Sequence, residues 1–66
     1  MKLEVNGETH ELREGLTLQQ ALKQLGFTQN SYAVAVNLDF VPRSDYDKKV
    51  LREGDKVEVV TPRQGG

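Results

Sequence analysis

Apolar and charged residues alternate from the first position: Met1, Leu3 and Val5 are apolar, Lys2 and Glu4 charged. A period of two is that of a half-buried strand. Asn6-Gly7 follows, and both residues tolerate the positive φ of a two-residue hairpin turn. That turn dictates a register: Val5 faces Glu8, Glu4 faces Thr9, Leu3 faces His10, Lys2 faces Glu11 and Met1 faces Leu12. One face then carries Met1, Leu3, Val5 and Leu12, with His10 among them. The other face carries a Lys2–Glu11 charge pair, a modest cross-strand contact. From Thr17 the period lengthens. Leu18, Ala21, Leu22 and Leu25 stand at i, i+3, i+4 and i+7, one helical stripe. Thr17 is placed as N-cap with Gln20 three residues on, the spacing of a capping box. Gly26 is placed to stop the helix in a left-handed turn, with Phe27 folding back onto Leu22.

Period two returns in "YAVAVNLDFVPR". Tyr32, Val34 and Val36 share one face, Ala33 and Ala35 the other. A turn is expected over Asn37 to Asp39, then a short strand at Phe40-Val41 that Pro42 ends, as at a sheet edge. "SDYD" reads as a short helical turn that brings Tyr46 onto the core. Glu53-Gly54-Asp55 turns, and Lys56 to Thr61 form the last strand, with Val57 and Val59 inward and Val60 outward. The order is ββαββ. A helix after a hairpin returns the chain for a crossover, so the last strand is expected beside the first, parallel to it and central. One helix across one face of a mixed four- or five-stranded sheet is an α+β, β-grasp arrangement. A split βαβ layout would need a second full helix, and "SDYDKKV" is too short and polar to supply one. The expected organisation is one domain over residues 1–61 and a flexible tail over residues 62–66.

The chain has 66 residues, and a domain of that size buries only about 60% of its unfolded surface. Little room remains for an enclosed catalytic cavity, so a stand-alone enzyme is not expected. Nine basic residues oppose ten acidic ones without a basic stripe. Neither nucleic acid nor an anionic membrane is expected as partner. The absence of cysteine excludes disulfides, a thiol nucleophile and thiolate metal ligands. The first residues contain no apolar signal-peptide core, and the longest apolar run, "YAVAV", is too short to span a bilayer. A cytoplasmic protein, monomeric when free, is the expectation.

His10 is the only histidine. It lacks a companion base or nucleophile, so a partly buried structural role is expected over catalysis or metal binding. Asp45 with Asp47, and Glu53 with Asp55, sit in turn chemistry and read as solvated caps. Arg43, after Pro42 at an edge, is a candidate partner contact. Ala33, Ala35 and Val60 should share the sheet face away from the helix, a shallow uncharged patch among Lys2, Glu4 and Glu58. That patch is the candidate docking face. The strongest signal is "TPRQGG" at the end. A Gly-Gly end threads a slot where any Cβ would clash. The six residues of "TPRQGG", counted from Thr61, can reach about 20 Å at about 3.3 Å each. What such an end presents is the carboxylate of Gly66, and Arg63 within the tail is a further candidate partner contact.

"VNGE", "LTLQQALKQLG", "VAVNLDFVPRSDY", "LREGDKVEVV" and the final "GG", in that order, together resemble the ThiS family of ubiquitin-like sulfur carriers. The resemblance covers essentially the whole chain and implies a β-grasp fold. It further implies that a ThiF-type activating enzyme adenylates the Gly66 carboxylate with ATP and Mg²⁺. A sulfur donor fed by a cysteine desulfurase then forms a thiocarboxylate, and a ThiG-type thiazole synthase takes the sulfur for thiamine. Gly65 and Gly66 match the family's functional pair; no other position acquires chemistry from it, and the chain itself is expected to bind no cofactor. Leu38 stands where many members carry glycine or a small residue. The related MoaD-type subunit of molybdopterin synthase shares the fold and the Gly-Gly end, but its chains are usually longer. The residues themselves leave two other classes open, a protein modifier joined through Gly66 to lysine and a plain interaction module.

Overall fold

A computed structural model of the chain describes residues 1–27 and 32–61. The expected tail, residues 62–66, lies outside the described residues. Five strands form one sheet: β1 (Lys2–Val5), β2 (Glu8–Glu11), β3 (Ala33–Val36), β4 (Asp39–Val41) and β5 (Lys56–Val60). One helix, α1 (Leu18–Gln24), lies between β2 and β3 in sequence, and a 3-10 turn spans Arg43–Asp45. The strand order is β2-β1-β5-β3-β4. β5 is central, parallel to β1 and antiparallel to β3. This is the β-grasp arrangement.

The first hairpin adopts the expected register, from Lys2 opposite Glu11 to Val5 opposite Glu8. The two central residues of its turn are both left-handed, Asn6 at φ 50° and Gly7 at φ 85°. The expected Lys2–Glu11 ion pair does not form. Both side chains are exposed, where water competes for each charge. The Lys2 backbone N–H donates to Glu53 Oε1 at 2.9 Å.

The capping box is complete. The Gln20 N–H donates to Thr17 Oγ1 at 3.2 Å, and the Thr17 N–H donates to Gln20 Oε1 at 2.9 Å. Gly26, at φ 91°, ends the helix, and the Phe27 N–H closes back on the Leu22 carbonyl at 2.9 Å. Leu18, Ala21 and Leu22 are buried. They pack in one core with Leu3, Val5, Val34, Val36, Val57 and Val59, and Leu25 and Phe27 pack against its rim. At about 25 cal/mol per Å² of apolar surface, this shared core is the main favourable term available to so small a domain.

Besides Tyr46, two core residues stand outside the periodic segments. Leu16 and Leu51 are each 2% exposed. The two loops holding them pair side by side: the Leu51 N–H donates to the Leu16 carbonyl at 3.0 Å, and the Leu18 N–H to the Lys49 carbonyl at 2.7 Å. Tyr46 is buried as expected, and its ring stacks on Tyr32 with centroids 6.0 Å apart. Burial pushes the Tyr46 phenol above its ordinary range; Tyr32 adds to this and the Arg43 guanidinium partly offsets it.

The β3–β4 turn is tighter than the expected Asn37-to-Asp39 span. It consists of Asn37 and Leu38 alone, at φ 52° and 71°, and Asp39 already belongs to β4. At the far end, β5 stops at Val60 rather than Thr61.

Candidate functional site

The sheet has two unlike faces. Its inner face meets α1. Its outer face is divided. Lys2, Glu4, Thr9 and Glu11 cover the β1–β2 half, all exposed. On the β5–β3–β4 half, Ala33 stands opposite Val60, Ala35 opposite Glu58 on one side and Phe40 on the other. Alternation then places Ala33, Ala35, Phe40 and Val60 on one surface, with Lys56 and Glu58 of β5 as its charged neighbours. Phe40 is 68% exposed and Val60 66%. Leu38, 87% exposed at the adjoining hairpin tip, extends the apolar surface beyond the sheet. Exposed apolar side chains gathered on one side of a small domain mark a docking surface more strongly than the same residues scattered singly.

The expected trio Ala33, Ala35 and Val60 is therefore brought together. Phe40 was absent from that reading, although it is the largest side chain on the face. The signal that locates it is turn length: a two-residue turn at Asn37-Leu38 puts Phe40 opposite Ala35. Arg43 is not brought to this face. Its guanidinium carbon lies 6.0 Å from the centre of the Tyr32 ring, which stacks on buried Tyr46. Once the 3-10 turn begins after Pro42, the cation is held by an aromatic surface on the helix side.

His10 is half-buried, with Nε2 3.7 Å from Glu8 Oε1. It is the only histidine of the sequence, and among the described residues its one charged partner is Glu8. Among the described residues no group of three His, Cys, Asp or Glu side chains is disposed to hold a metal, and no helix is long and apolar enough to cross a membrane. Arg63, Gly65 and Gly66 lie outside the described residues. The described structure does fix where they begin. β5, paired with β1 on one flank and β3 on the other, leads through Val60 and Thr61 into residues 62–66. The apolar half-face and the start of the tail thus share one strand.

Known proteins resemble the chain along its whole length. It is 38% identical over 66 residues to the thiazole synthase of Paramagnetospirillum magneticum, matching 100% of this chain. The chain spans only 20% of that protein's length. It is 39% identical over 62 residues to the sulfur carrier protein ThiS of Thermus thermophilus, covering 94% of this chain and 95% of that one. The crystal structure of the thiamine biosynthesis protein ThiS from Geobacter metallireducens superposes with a TM-score of 0.86 at 29% identity, each chain covered completely. The model of the ThiS family matches residues 3–66, a span that takes in the sheet, the helix and Gly65-Gly66. The chain belongs to the ThiS family.

Proposed function

We propose that the chain is a sulfur carrier of thiamine biosynthesis, with the carboxylate of Gly66 as the group that carries sulfur. The observation that supports this most is the reach of the family match through residue 66. A carboxylate is a poor electrophile, and activation supplies what it lacks. A Gly66 oxygen attacks the α-phosphorus of ATP, held with Mg²⁺ by a ThiF-type enzyme, and pyrophosphate leaves. The terminal sulfur of a persulfide, charged by a cysteine desulfurase, attacks the acyl carbon, and AMP leaves. A thiol then cleaves the S–S bond, leaving the thiocarboxylate on Gly66 and a disulfide on the donor. A thiazole synthase takes the sulfur. The single-chain relative named thiazole synthase, which contains a stretch similar to this whole chain, supports that choice of partner.

In this reading the chain contributes no catalytic side chain. The face of Ala33, Ala35, Phe40 and Val60 docks the activating enzyme, and Gly65 lets the end pass a slot that excludes side chains. The reading requires Gly66 to end in a free carboxylate. Intact-protein mass spectrometry tests both points. After incubation with ATP, Mg²⁺, a ThiF-type enzyme and a sulfur source, one oxygen should be exchanged for sulfur, confined to Gly66. Gly65→Val should block the exchange. Sulfur elsewhere in the chain, or equal reaction of a chain extended beyond Gly66, defeats the proposal. A ladder of lysine conjugates in its place would identify a protein modifier.

A further inference from the structure

β1 pairs with β5 only at Glu4–Lys56 and Val5–Val57. The Asn6-Gly7 turn then carries the chain away while β5 still runs on to Val60. Val59 is thus left without a strand on that flank. Asn6 takes the place of one. Its N–H donates to the Val57 carbonyl at 3.0 Å. Its side chain spans the next residue pair: the Val59 N–H donates to Asn6 Oδ1 at 2.8 Å, and Asn6 Nδ2 donates to the Val59 carbonyl at 3.3 Å. The carboxamide acts as one more peptide group of β1. On the opposite flank β3 pairs with β5 up to Val60. The end of β5 is therefore held from both sides just before the tail.

The turn itself does not need this side chain, since glycine serves the same left-handed position. Asn37 provides an internal comparison at the other end of β5. It too is left-handed, at φ 52°. The Lys56 N–H donates to its Oδ1 at 3.0 Å, and its Nδ2 donates to Asp55 Oδ1 at 3.0 Å. One asparagine clamps where β5 begins; the other clamps where it leads into the tail.

We infer that Asn6 is a positioning residue for the chemistry at Gly66. By holding Val59 it fixes the end of β5, the strand from which the sequence continues to Gly66, relative to the docking face on β3, β4 and β5. The inference rests on the sulfur-carrier reading. Docking through the face governs KM for the carrier, and placing the carboxylate within the docked complex governs kcat. Losing the Asn6 bonds frees Val59 on its β1 flank while β3 still pairs as far as Val60, so up to about one residue of backbone must be ordered in every turnover, a loss approaching about tenfold.

The test is ATP–pyrophosphate exchange with the full chain and a ThiF-type enzyme, measured against carrier concentration for Asn6→Gly and Asn37→Gly. Both substitutions keep the left-handed turn and remove one carboxamide clamp. For Asn6→Gly we expect kcat about tenfold lower with KM within about twofold of the unaltered chain, together with faster hydrogen exchange at the Val59 amide. For Asn37→Gly we expect both constants to be retained. A general loss of stability lowers the folded fraction, which raises KM and spares kcat. That pattern for Asn6→Gly, an unchanged kcat, or an equal fall in kcat for the two variants would overturn the inference. If the unaltered chain supports no exchange, the sulfur-carrier reading fails first and this role for Asn6 falls with it.

Discussion

Leu38 holds a conformation that leucine resists. Its φ is 71°, in the left-handed region, and its side chain is 87% exposed. For an L-residue that conformation costs about 1–2 kcal/mol. Little packing offsets it: full burial of a leucine is worth about 1.5–3 kcal/mol, and the small buried share at this site recovers a few tenths. Leu38→Gly removes the strain but adds about 0.5–1 kcal/mol of unfolded-chain entropy. The net expectation is unchanged stability or a gain of up to about 1 kcal/mol. Leu38→Ala is the control, because it removes the same atoms beyond Cβ and, by keeping Cβ, keeps the strain. Glycine should therefore exceed alanine by about 0.7 kcal/mol, a difference of about 3–6 °C in Tm for a domain of this size. Urea unfolding at constant m-value measures it. If the glycine variant is the less stable of the two, the hairpin is not strained at Leu38. Retention of a costly exposed leucine would then need no functional reason. If glycine is the more stable and binds the activating enzyme less well, the strain is maintained for docking.

Three further outcomes follow from the core and the faces. Leu22 is 1% exposed, so Leu22→Ala should cost about 2–5 kcal/mol in urea unfolding, a large share of the roughly 3–10 kcal/mol expected for a chain this short. The Tyr46 phenol is raised by burial. The unfolded chain therefore loses this proton first as pH rises, and stability should decline from about pH 10 upward, through the raised folded value. Tyr46→Phe should flatten that alkaline decline in unfolding curves taken at successive pH values, and an unchanged slope would assign it to other groups. Ala35→Arg sets a long charged side chain into the apolar half-face, opposite Glu58. It should leave the circular dichroism spectrum unaltered and weaken titrated binding to the activating enzyme about tenfold or more; unchanged affinity would move the docking site elsewhere.

Local pattern was sufficient where the deciding interactions are local. The capping box joins Thr17 to Gln20 within one turn, and the Asn6-Gly7 turn fixes the hairpin register through two φ angles. Both are legible from neighbouring residues. Leu16 and Leu51 are a different case. Neither belongs to a periodic run, and they become core only because two distant loops pair, a contact no short window contains. Leu38 gives no sign of a left-handed backbone, since that conformation is ordinarily announced by glycine or asparagine. The expected turn was consequently one residue too long, and Phe40 could not be assigned to a face. The carboxamide of Asn6 is hidden for the same reason as Leu51. Its residue type signals the turn, while its bonds reach Val59, 53 positions away.

The division of the outer face limits how a partner can approach. Both edges of the sheet are defended, in different ways. β2 is polar throughout, as Glu8, Thr9, His10 and Glu11, and β4 is three residues long and followed by Pro42. Such edges resist the addition of a further strand. A partner that avoids the edges must use a face, and the inner face is taken by α1. On the outer face, the charged β1–β2 half would have to be desolvated for a buried contact, whereas Ala33, Ala35, Phe40 and Val60 would not, and the charges beside them are Lys56 and Glu58 of β5. The least costly approach is therefore off-centre, over β3, β4 and β5. Two of those strands carry most of the apolar surface, and the third leads directly into Gly65 and Gly66. A partner seated there holds the strand that delivers the tail, so recognition of the domain and presentation of its end depend on the same few backbone pairs. This is why Asn6, whose bonds hold the Val59 end of β5, is expected to matter to the reaction, and Asn37, whose bonds hold the Lys56 end, is not.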